Sequence, residues 1–418
     1  MQTFTGWEYI CIDVANQFGH DKLLFPERIQ WVHDNLENLE ALTEQADKKT
    51  QPLYIKAVMA LRKAQRGEPT GHMVGFDATC SGIQIMSTIT GCESGARATG
   101  LIDPNRRADA YTDTTAIVNQ ILTEKGLAGV NILRKRVKNA VMTAFYGSTE
   151  QPKKEFGEDT PELAAFYEAV QKIAPGAYEL LHALLASWQP FALAHAWKLP
   201  DGFDARVKVE AKKEPRIQVD ELGGASFTYV YYENQGTENG LSNVANVVHS
   251  IDAYVLRCLI RRCSYDPVVV NNAQALIQSE LLGRDSGQGC LVDETDPKVE
   301  YYIERYEATN MADIVILPYL NWRNIGQLSN RHLYTLMDII NSVVVHKPFP
   351  IQSVHDEFKC HANNMNHLRQ HYINIFAELA DSIILDDIFT HLYGQPGQYA
   401  KLSNNLSAKI RQSNYALS

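Results

Sequence analysis

Three short segments carry side chains that could act together on a phosphorylated substrate. In Gly75-Phe76-Asp77-Ala78-Thr79-Cys80-Ser81-Gly82-Ile83-Gln84 an acid ends a strand-like run and small residues open a helix-like one. In Arg134-x3-Lys138-x3-Met142-x3-Tyr146-Gly147-Ser148 the two cations are four residues apart and share one helix face. The third segment is Val354-His355-Asp356-Glu357. Taken singly, each has an ordinary explanation: a helix cap, a solvated basic face, an acid in a turn. Together they fit nucleotidyl transfer. That chemistry uses two Mg²⁺ ions about 3.5–4 Å apart, clamping the attacking and leaving oxygens. Mg²⁺ prefers carboxylates and substrate phosphates, so Asp77 and Asp356 would be a minimal protein ligand set. Arg134 and Lys138 could bind a triphosphate. Tyr146 follows Lys138 by eight residues, roughly 80° round a helix, where its ring could stack near a base and its hydroxyl reach a sugar.

The elements that must position these groups can be read from periodicity. Val74 to Asp77 predicts the end of a short strand and Cys80 to Thr90 a helix, with Ile83, Met86 and Ile89 on one face. Helices are expected over 25–46, opened near Pro26, over 105–122 and over 131–146, the last two separated by a turn at 126–129. Residues 204–233 alternate as a β-hairpin turning near Gly223-Gly224, and 348–361 alternate around His355-Asp356. Residues 244–262 return to helix. The region 264–345 has no single pattern and holds an expected loop at 283–289. Helix then runs to about Tyr393, followed by a polar tail. The fold class is α+β and helix-rich.

The chain has 418 residues and a net charge of −10, which by itself argues against a nucleic-acid footprint. A basic groove can nevertheless sit on an acidic body. The local clusters are Arg134-Lys135-Arg136-Val137-Lys138 and, more weakly, Arg257 to Arg262. Seven scattered cysteines form no C-x-x-C pair and read as reduced thiols. There is no signal-peptide pattern at the start and no apolar run near the roughly 18 residues of a membrane span. A cytoplasmic protein without membrane partners is expected.

The three segments resemble the single-subunit RNA polymerases of phages and mitochondria. Asp77 to Gln84 matches the D-G-S-C-S-G-I-Q signature of that family, and Arg134, Lys138, Val141, Met142, Tyr146, Gly147 and Ser148 match R-x3-K-x2-V-M-x3-Y-G-S. His355-Asp356-Glu357-Phe358 matches H-D-S-F, with Glu357 in place of Ser. Weaker echoes are Asp21-Lys22, Phe25-Pro26-Glu27-Arg28-Ile29, Pro200-Asp201-Gly202-Phe203, Val248-His249-Ser250 with Asp252, and Asn414-Tyr415-Ala416-Leu417-Ser418. The likeness covers roughly residues 10–263 and 345–418.

The resemblance implies the palm and fingers of a right-hand polymerase. The first part of the palm would be residues 1–105 and the fingers 106–248, with the hairpin at about 204–233. The second part of the palm would be 249–418, with an insertion at about 264–345 and a C-terminal foot. It implies a DNA-directed RNA polymerase that extends RNA from ribonucleoside triphosphates on a DNA template. Asp77, Asp356 and the Ala78 carbonyl would hold two Mg²⁺ ions. Arg134, Lys138 and Lys22 would bind the triphosphate, and Lys138 or a neighbour would protonate the leaving pyrophosphate. Tyr146 would sense the ribose beside Gly82, and His355 would support Asp356. Tyr111, Gly147, Ser148 and His249 would touch template or hybrid.

Only 76 residues precede Asp77, so the N-terminal domain and thumb are expected from a second polypeptide, although a piece of a longer chain would look the same. In this the chain looks like the larger subunit of the heterodimeric, split RNA polymerases of certain large-genome phages. A single-stranded-DNA-binding or recruiting factor is a further expected partner, and the host cytoplasm the expected location.

Some positions depart from the pattern. Ala78 replaces Gly, leaving the carbonyl. Asn139 replaces an Arg, with Lys135 and Arg136 near enough in sequence to compensate. The Gly283-x3-Gly287-x-Gly289 loop lacks the Lys-Ser/Thr of a phosphate cradle, so no chemistry is assigned to it. The related DNA polymerases of bacterial repair share both acids and the R-x3-K…Y-G helix. However, they place a bulky acid where Gly82 stands and an aromatic where Met142 stands, so ribonucleotides are favoured here. A non-catalytic scaffold would be expected to lose its acids first, yet Asp77 and Asp356 remain. His361, His367 and His371 with Cys360 are too loosely spaced for a zinc site and are expected as surface histidines on a helix.

Overall fold

Thr5 and Glu8 cap each other reciprocally and start the first helix, α1 (Gly6–Ala15). A single π-turn follows over Asn16–His20, where Gly19 takes φ +113° and breaks the helical path. In this computed structural model, which describes residues 1–127, 129–237, 242–290 and 295–418, the next elements are α2 (Phe25–Asp34), α3 (Gln51–Gln65) and the strand β1 (Met73–Asp77). Helices α4 (Ser81–Thr90), α5 (Glu93–Ala98), α6 (Ala110–Glu124), α7 (Arg134–Ala144), α8 (Glu150–Phe156), α9 (Pro161–Ile173) and α10 (Pro175–Ala186) come next. Six strands then follow: β2 (Ala194–Lys198), β3 (Asp204–Lys208), β4 (Glu210–Lys213), β5 (Arg216–Val219), β6 (Ala225–Thr228) and β7 (Tyr231–Asn234). The rest comprises α11 (Ser242–Cys263), α12 (Pro267–Asp285), α13 (Pro297–Thr309), α14 (Asn330–Val343), β8 (Gln352–Val354), β9 (Glu357–His361), α15 (Met365–Asp381), α16 (Ile384–Tyr393) and α17 (Leu406–Ile410). Among the described residues no helix is long and apolar enough to cross a membrane.

The alternation in β1 decides the architecture. Val74 and Phe76 point into the core, which leaves Gly75 and Asp77 on the opposite face. β9 does the same, burying Phe358 and Cys360 and turning Glu357 and Lys359 the other way. The two strands pair antiparallel with Phe76 opposite Phe358 and Asp77 opposite Glu357, and β8 adds to the far side of β9. Beneath them lies an aromatic layer: Phe76 meets Phe25 at 5.5 Å and Tyr9 at 5.9 Å, and Phe358 meets Tyr372 at 5.6 Å. α4, α11 and α15 close the core around this layer.

Two buried polar side chains with several hydrogen bonds each tie the frame together. Gln84 on α4 donates to the carbonyls of Thr99 (2.8 Å) and Ala416 (3.0 Å) and accepts from the Tyr372 hydroxyl at 2.7 Å. Arg28 is fully buried and donates to the carbonyls of Leu23 and Asp21 and to Asn16 Oδ1, all within 2.9 Å. It thereby fixes the loop that carries Lys22. Burial, together with the repulsion of Arg107, pushes the Arg28 guanidinium down to about 9.

Several expected boundaries move, each for a local reason. The helix expected over 25–46 stops at Asp34, where Asn35 caps it through Nδ2 to the Trp31 carbonyl, and 3₁₀ turns follow. α6 starts at Ala110, not 105, because Asp109 caps the amides of Tyr111 and Thr112. α7 starts at Arg134, not 131, and ends at Ala144, where Gly147 at φ +90° closes the turn. Of the expected 126–129 turn, Ala128 lies outside the described residues. The hairpin expected from 204 begins at 210: β4 pairs with β7 and β5 with β6, whereas β3 folds back on β2. The expected 283–289 loop starts later, since α12 continues through Gly283.

Within 264–345 the described residues form helices and 3₁₀ turns around an apolar core of their own, built from α12, α13 and α14. Its two ends meet: the Phe349 amide donates to the Cys263 carbonyl at 2.8 Å and Ser264 Oγ to the Phe349 carbonyl at 2.7 Å. The tail is not a solvated strand of polar residues either, because Tyr415, Ala416 and Leu417 are buried. His371 is buried rather than on the surface, with Nε2 2.8 Å from Nε2 of His346.

Replacing Arg28 with Met leaves two carbonyls and the Asn16 side chain unpaired in the interior. A loss of about 2–4 kcal/mol in unfolding free energy is expected, measured by urea denaturation. A change below about 0.5 kcal/mol would mean that the loop bearing Lys22 is held by other contacts.

Candidate active site

The β1–β9 register forces the acids together. The Ala78 amide donates to the Asp356 carbonyl at 3.1 Å, one step beyond the Asp77–Glu357 pair. Asp356 sits in the two-residue turn between β8 and β9, and His355 takes φ +55° to make that turn. On the other side, the Ser418 amide donates to the Asp77 carbonyl at 3.0 Å. Asp77 keeps an exposed edge toward the open cleft, yet partial loss of hydration there, then the charges of Glu357 and Asp356, push its carboxyl up to about 6, although Lys359 and Arg107 oppose the rise.

Asp77, Ala78 and Asp356 line a cleft of about 620 Å³ together with Lys22, Tyr111, Arg134, Lys138 and Met142. Arg134 reaches Asp109 Oδ2 at 2.6 Å, and both its guanidinium and the Lys138 ammonium lie 5.6 Å from the centre of the Tyr111 ring. Burial would raise the Asp109 carboxyl, but the Arg134 hydrogen bond and the charges of Arg134 and Lys22 hold it below the ordinary range. Burial pushes the Tyr111 phenol far up, helped by Cys80, with which it shares a hydrogen bond. Lys22 pairs with Asp21 at 2.9 Å and Glu357 with Lys359 at 2.9 Å. That last pair lies over Gly75, where a Cβ would fall 2.2 Å from Glu357 Oε1. Gly75 thus gives the room that the Glu at 357 needs.

The second cluster of expected residues lies apart from this lining. α7 ends before Tyr146, so Tyr146 and Lys138 do not share a helix face. The Tyr146 ring instead packs 4.9 Å from His249 of α11, and a Cβ on Gly82 would fall 2.5 Å from its hydroxyl oxygen. Burial is the main reason that the Tyr146 phenol is raised, and a bond to Ser81 opposes it. Gly147 and Ser148 form the turn that delivers Tyr146, and His355 is exposed at the hairpin tip.

Some charges fall elsewhere than expected. Arg136 and Asn139 turn away to α8, where Arg136 donates to the Glu155 carbonyl and Asn139 to the Glu155 carboxylate. Arg136 also lies over Phe156, so it does not make up for the charge that Asn139 lacks. The cluster at 257–262 is neutralised: Arg257 and Arg261 pair with Asp201, Arg261 also with Asp313, and Arg262 with Glu378.

Three groups near the site were given no role in it from the sequence. Asp252 on α11 is half-buried, and burial followed by the charge of Asp356 pushes it up to about 6. Its spacing of three from His249 placed both on one helix face, a signal that was available. Lys359 follows from β9 alternation once Glu357 is assigned to the cleft. Arg107 stands in an irregular segment before α6 and had no periodic signal; its Nη1 donates to Thr79 Oγ1 at 2.9 Å and to the Ala108 carbonyl.

Comparison with known proteins gives a family likeness for part of the chain. Residues 2–172 match the family model described as DNA-dependent RNA polymerase. Over that stretch the chain is similar to the family, and the relatives it resembles are phage and mitochondrial polymerases. It is 24% identical to the DNA-directed RNA polymerase of Pseudomonas phage phiKMV over 321 residues, covering 63% of this chain and 39% of that protein. It is 25% identical to the T7 RNA polymerase of Escherichia phage T7 over 342 residues, covering 60% and 38%. The mitochondrial DNA-directed RNA polymerase of Neurospora crassa is 28% identical over 167 residues, covering 35% of this chain and 12% of that protein. The chain thus spans about two fifths of the length of the phage relatives.

A carboxyl whose folded value is raised to about 6 from 3.8 stabilises the fold fully below about pH 4, and this contribution is lost as pH rises through 6. Asp77→Asn should therefore melt higher than the parent chain at pH 7, with the gap closing toward pH 4. Thermal midpoints across pH 4–8 check this, and a gap independent of pH would show that Asp77 is not under like-charge pressure.

Proposed function

We propose that the chain is the catalytic part of a DNA-directed RNA polymerase, transferring nucleotidyl groups from ribonucleoside triphosphates to an RNA 3′ end on a DNA template. The observation that carries this reading is the β1–β9 register, which sets Asp77 beside Asp356 in a cleft also lined by Arg134 and Lys138. On this reading residues 1–105 and 249–418 are palm and 106–248 fingers.

The donor set fits divalent metal of the hard, oxygen-seeking kind. Among the described residues no group of three or more His, Cys, Asp or Glu side chains is placed to cage a metal. Two carboxylates with the Ala78 carbonyl agree instead with Mg²⁺, which takes its remaining ligands from water and substrate phosphates. The mutual repulsion that raises Asp77 is what cations there would relieve. When bound, the two ions would polarise the phosphoryl oxygens and favour in-line attack by the RNA 3′ hydroxyl.

The remaining roles fall to the chain itself. Lys138 and Arg134 bind the triphosphate, Arg134 sharing its fork with Asp109, and Lys22 adds a further contact. Lys138 is the group to protonate the departing pyrophosphate. Tyr146 senses the ribose: its hydroxyl stands against Gly82, so a bulky side chain at 82 would displace the ring. This favours ribonucleotides over the deoxyribonucleotides of the related repair enzymes. Tyr111, Gly147, Ser148 and His249 guide template or hybrid, and His355 supports the turn that holds Asp356.

Primer extension on an RNA–DNA hybrid with Mg²⁺ tests the proposal, using the chain with any polypeptide that co-purifies with it. Template-directed addition of ribonucleotides is expected, and no addition of either nucleotide type would sink the reading. Asp356→Ala should abolish extension while hybrid binding in a filter assay stays within about threefold, a change under 1 kcal/mol. Tyr146→Phe should lower ribo-over-deoxy selectivity by about tenfold, the value of one hydroxyl contact. Unchanged selectivity would remove Tyr146 from ribose recognition.

A further inference from the structure

The cations of the cleft are not equivalent. Five line it: Lys22, Arg107, Arg134, Lys138 and Lys359. Lys22 closes on Asp21 at 2.9 Å, Arg134 on Asp109 at 2.6 Å and Lys359 on Glu357 at 2.9 Å. Among the described residues, no carboxylate comes within ion-pair distance of Arg107 or Lys138. Lys138 is exposed, so water serves it. Arg107 is half-buried, bonded only to neutral oxygens of Thr79 and Ala108, and its enclosed Nε has no partner at all.

A guanidinium withdrawn from water without a counter-charge is costly and is retained where an anion completes it. Thr79 fixes its orientation from the turn that follows Asp77, so the charge is held beside the acid pair. The charges of Asp21, Asp109 and Asp77 act on it from a distance, yet they do not overcome the effect of burial, and its pKa is lowered. A planar fork with unused donors suits phosphate oxygens, which it can bind two at a time. Arg136, expected from the sequence to serve the cleft, is engaged at Glu155 and Phe156 instead.

We infer that Arg107 is a substrate-binding residue of the cleft, closing with Lys138 on the oligophosphate chain of the incoming nucleotide. The nucleotide's identity rests on the polymerase reading, but the oligophosphate site can be tested without it. Calorimetric titration of the full chain with inorganic tripolyphosphate at low salt is the experiment. The variants are Arg107→Gln, Arg107→Lys and Lys138→Gln, with thermal midpoints taken as a check of folding. Arg107→Gln and Lys138→Gln should each weaken binding at least tenfold, and Arg107→Lys should lie between parent and Gln. Loss in Lys138→Gln with parent-like affinity in Arg107→Gln would overturn the inference while leaving the polymerase reading intact, as would no binding by the parent. Tripolyphosphate binding lost in Arg107→Gln, alongside a parent that fails to extend a primer, would uphold the inference and sink the polymerase reading. Should Arg107→Gln melt early, an arginine-specific dicarbonyl reagent on the parent decides. Protection of Arg107 by tripolyphosphate, located by peptide mass spectrometry, supports the site, and equal labelling with and without it overturns it.

Discussion

Like charges repel, and the chain spends backbone geometry to hold them together. Asp77, Asp356 and Glu357 meet at one end of a three-stranded sheet because two strands pair in one register and no other. A slip of β1 by one residue would turn Phe76 toward the cleft and Asp77 toward the core. The aromatic layer under the strands therefore supplies the force that keeps the carboxylates side by side. Hydrophobic burial acts on one face of the sheet, and its electrostatic consequence appears on the other.

The rest of the frame can be understood as support for that register. Gln84 links α4, Thr99, α15 and the final residues through three hydrogen bonds; α15 packs on β9 and the final residues pair with the end of β1. Arg369 does similar work, donating to the carbonyls of Gln2 (3.1 Å) and Asn414 (2.7 Å) and to the Tyr9 hydroxyl (2.7 Å). These side chains join segments at opposite ends of the sequence. In a dry interior such fully satisfied polar groups select one arrangement over near competitors, since any slip leaves a donor unpaired.

Much of this was legible because the signals were local. The strand-like run Val74 to Asp77 and the spacing of Ile83, Met86 and Ile89 are enough to give the end of β1 and α4, and those carry one acid and Gly82. The pairing of Asp77 with Asp356 was legible as a chemical expectation and through resemblance, not from periodicity, since nothing in either segment names the other. Boundaries failed where a cap outranked periodicity, as with Asp109 and Asn35. The Arg136 side chain was misjudged because sequence proximity to Lys138 says nothing about which helix face meets α8. Arg107 was missed for a deeper reason: an irregular segment has no period, and its importance lies in the partner it lacks. The region 264–345 was opaque because its apolar residues serve a second core of their own, so they follow no rhythm set by the first.

The pairing of β1 with β9 also has a consequence in time. A ribosome delivers β1 early, and its partner strand emerges roughly 280 residues later, on the order of tens of seconds at ordinary rates of synthesis. Until then β1 has an open edge, the kind of surface that invites pairing with a wrong chain. Its brevity, the missing side chain at Gly75 and the charge at Asp77 make that edge a poor template. The features that later shape the floor of the cleft thus also guard the nascent chain while it waits.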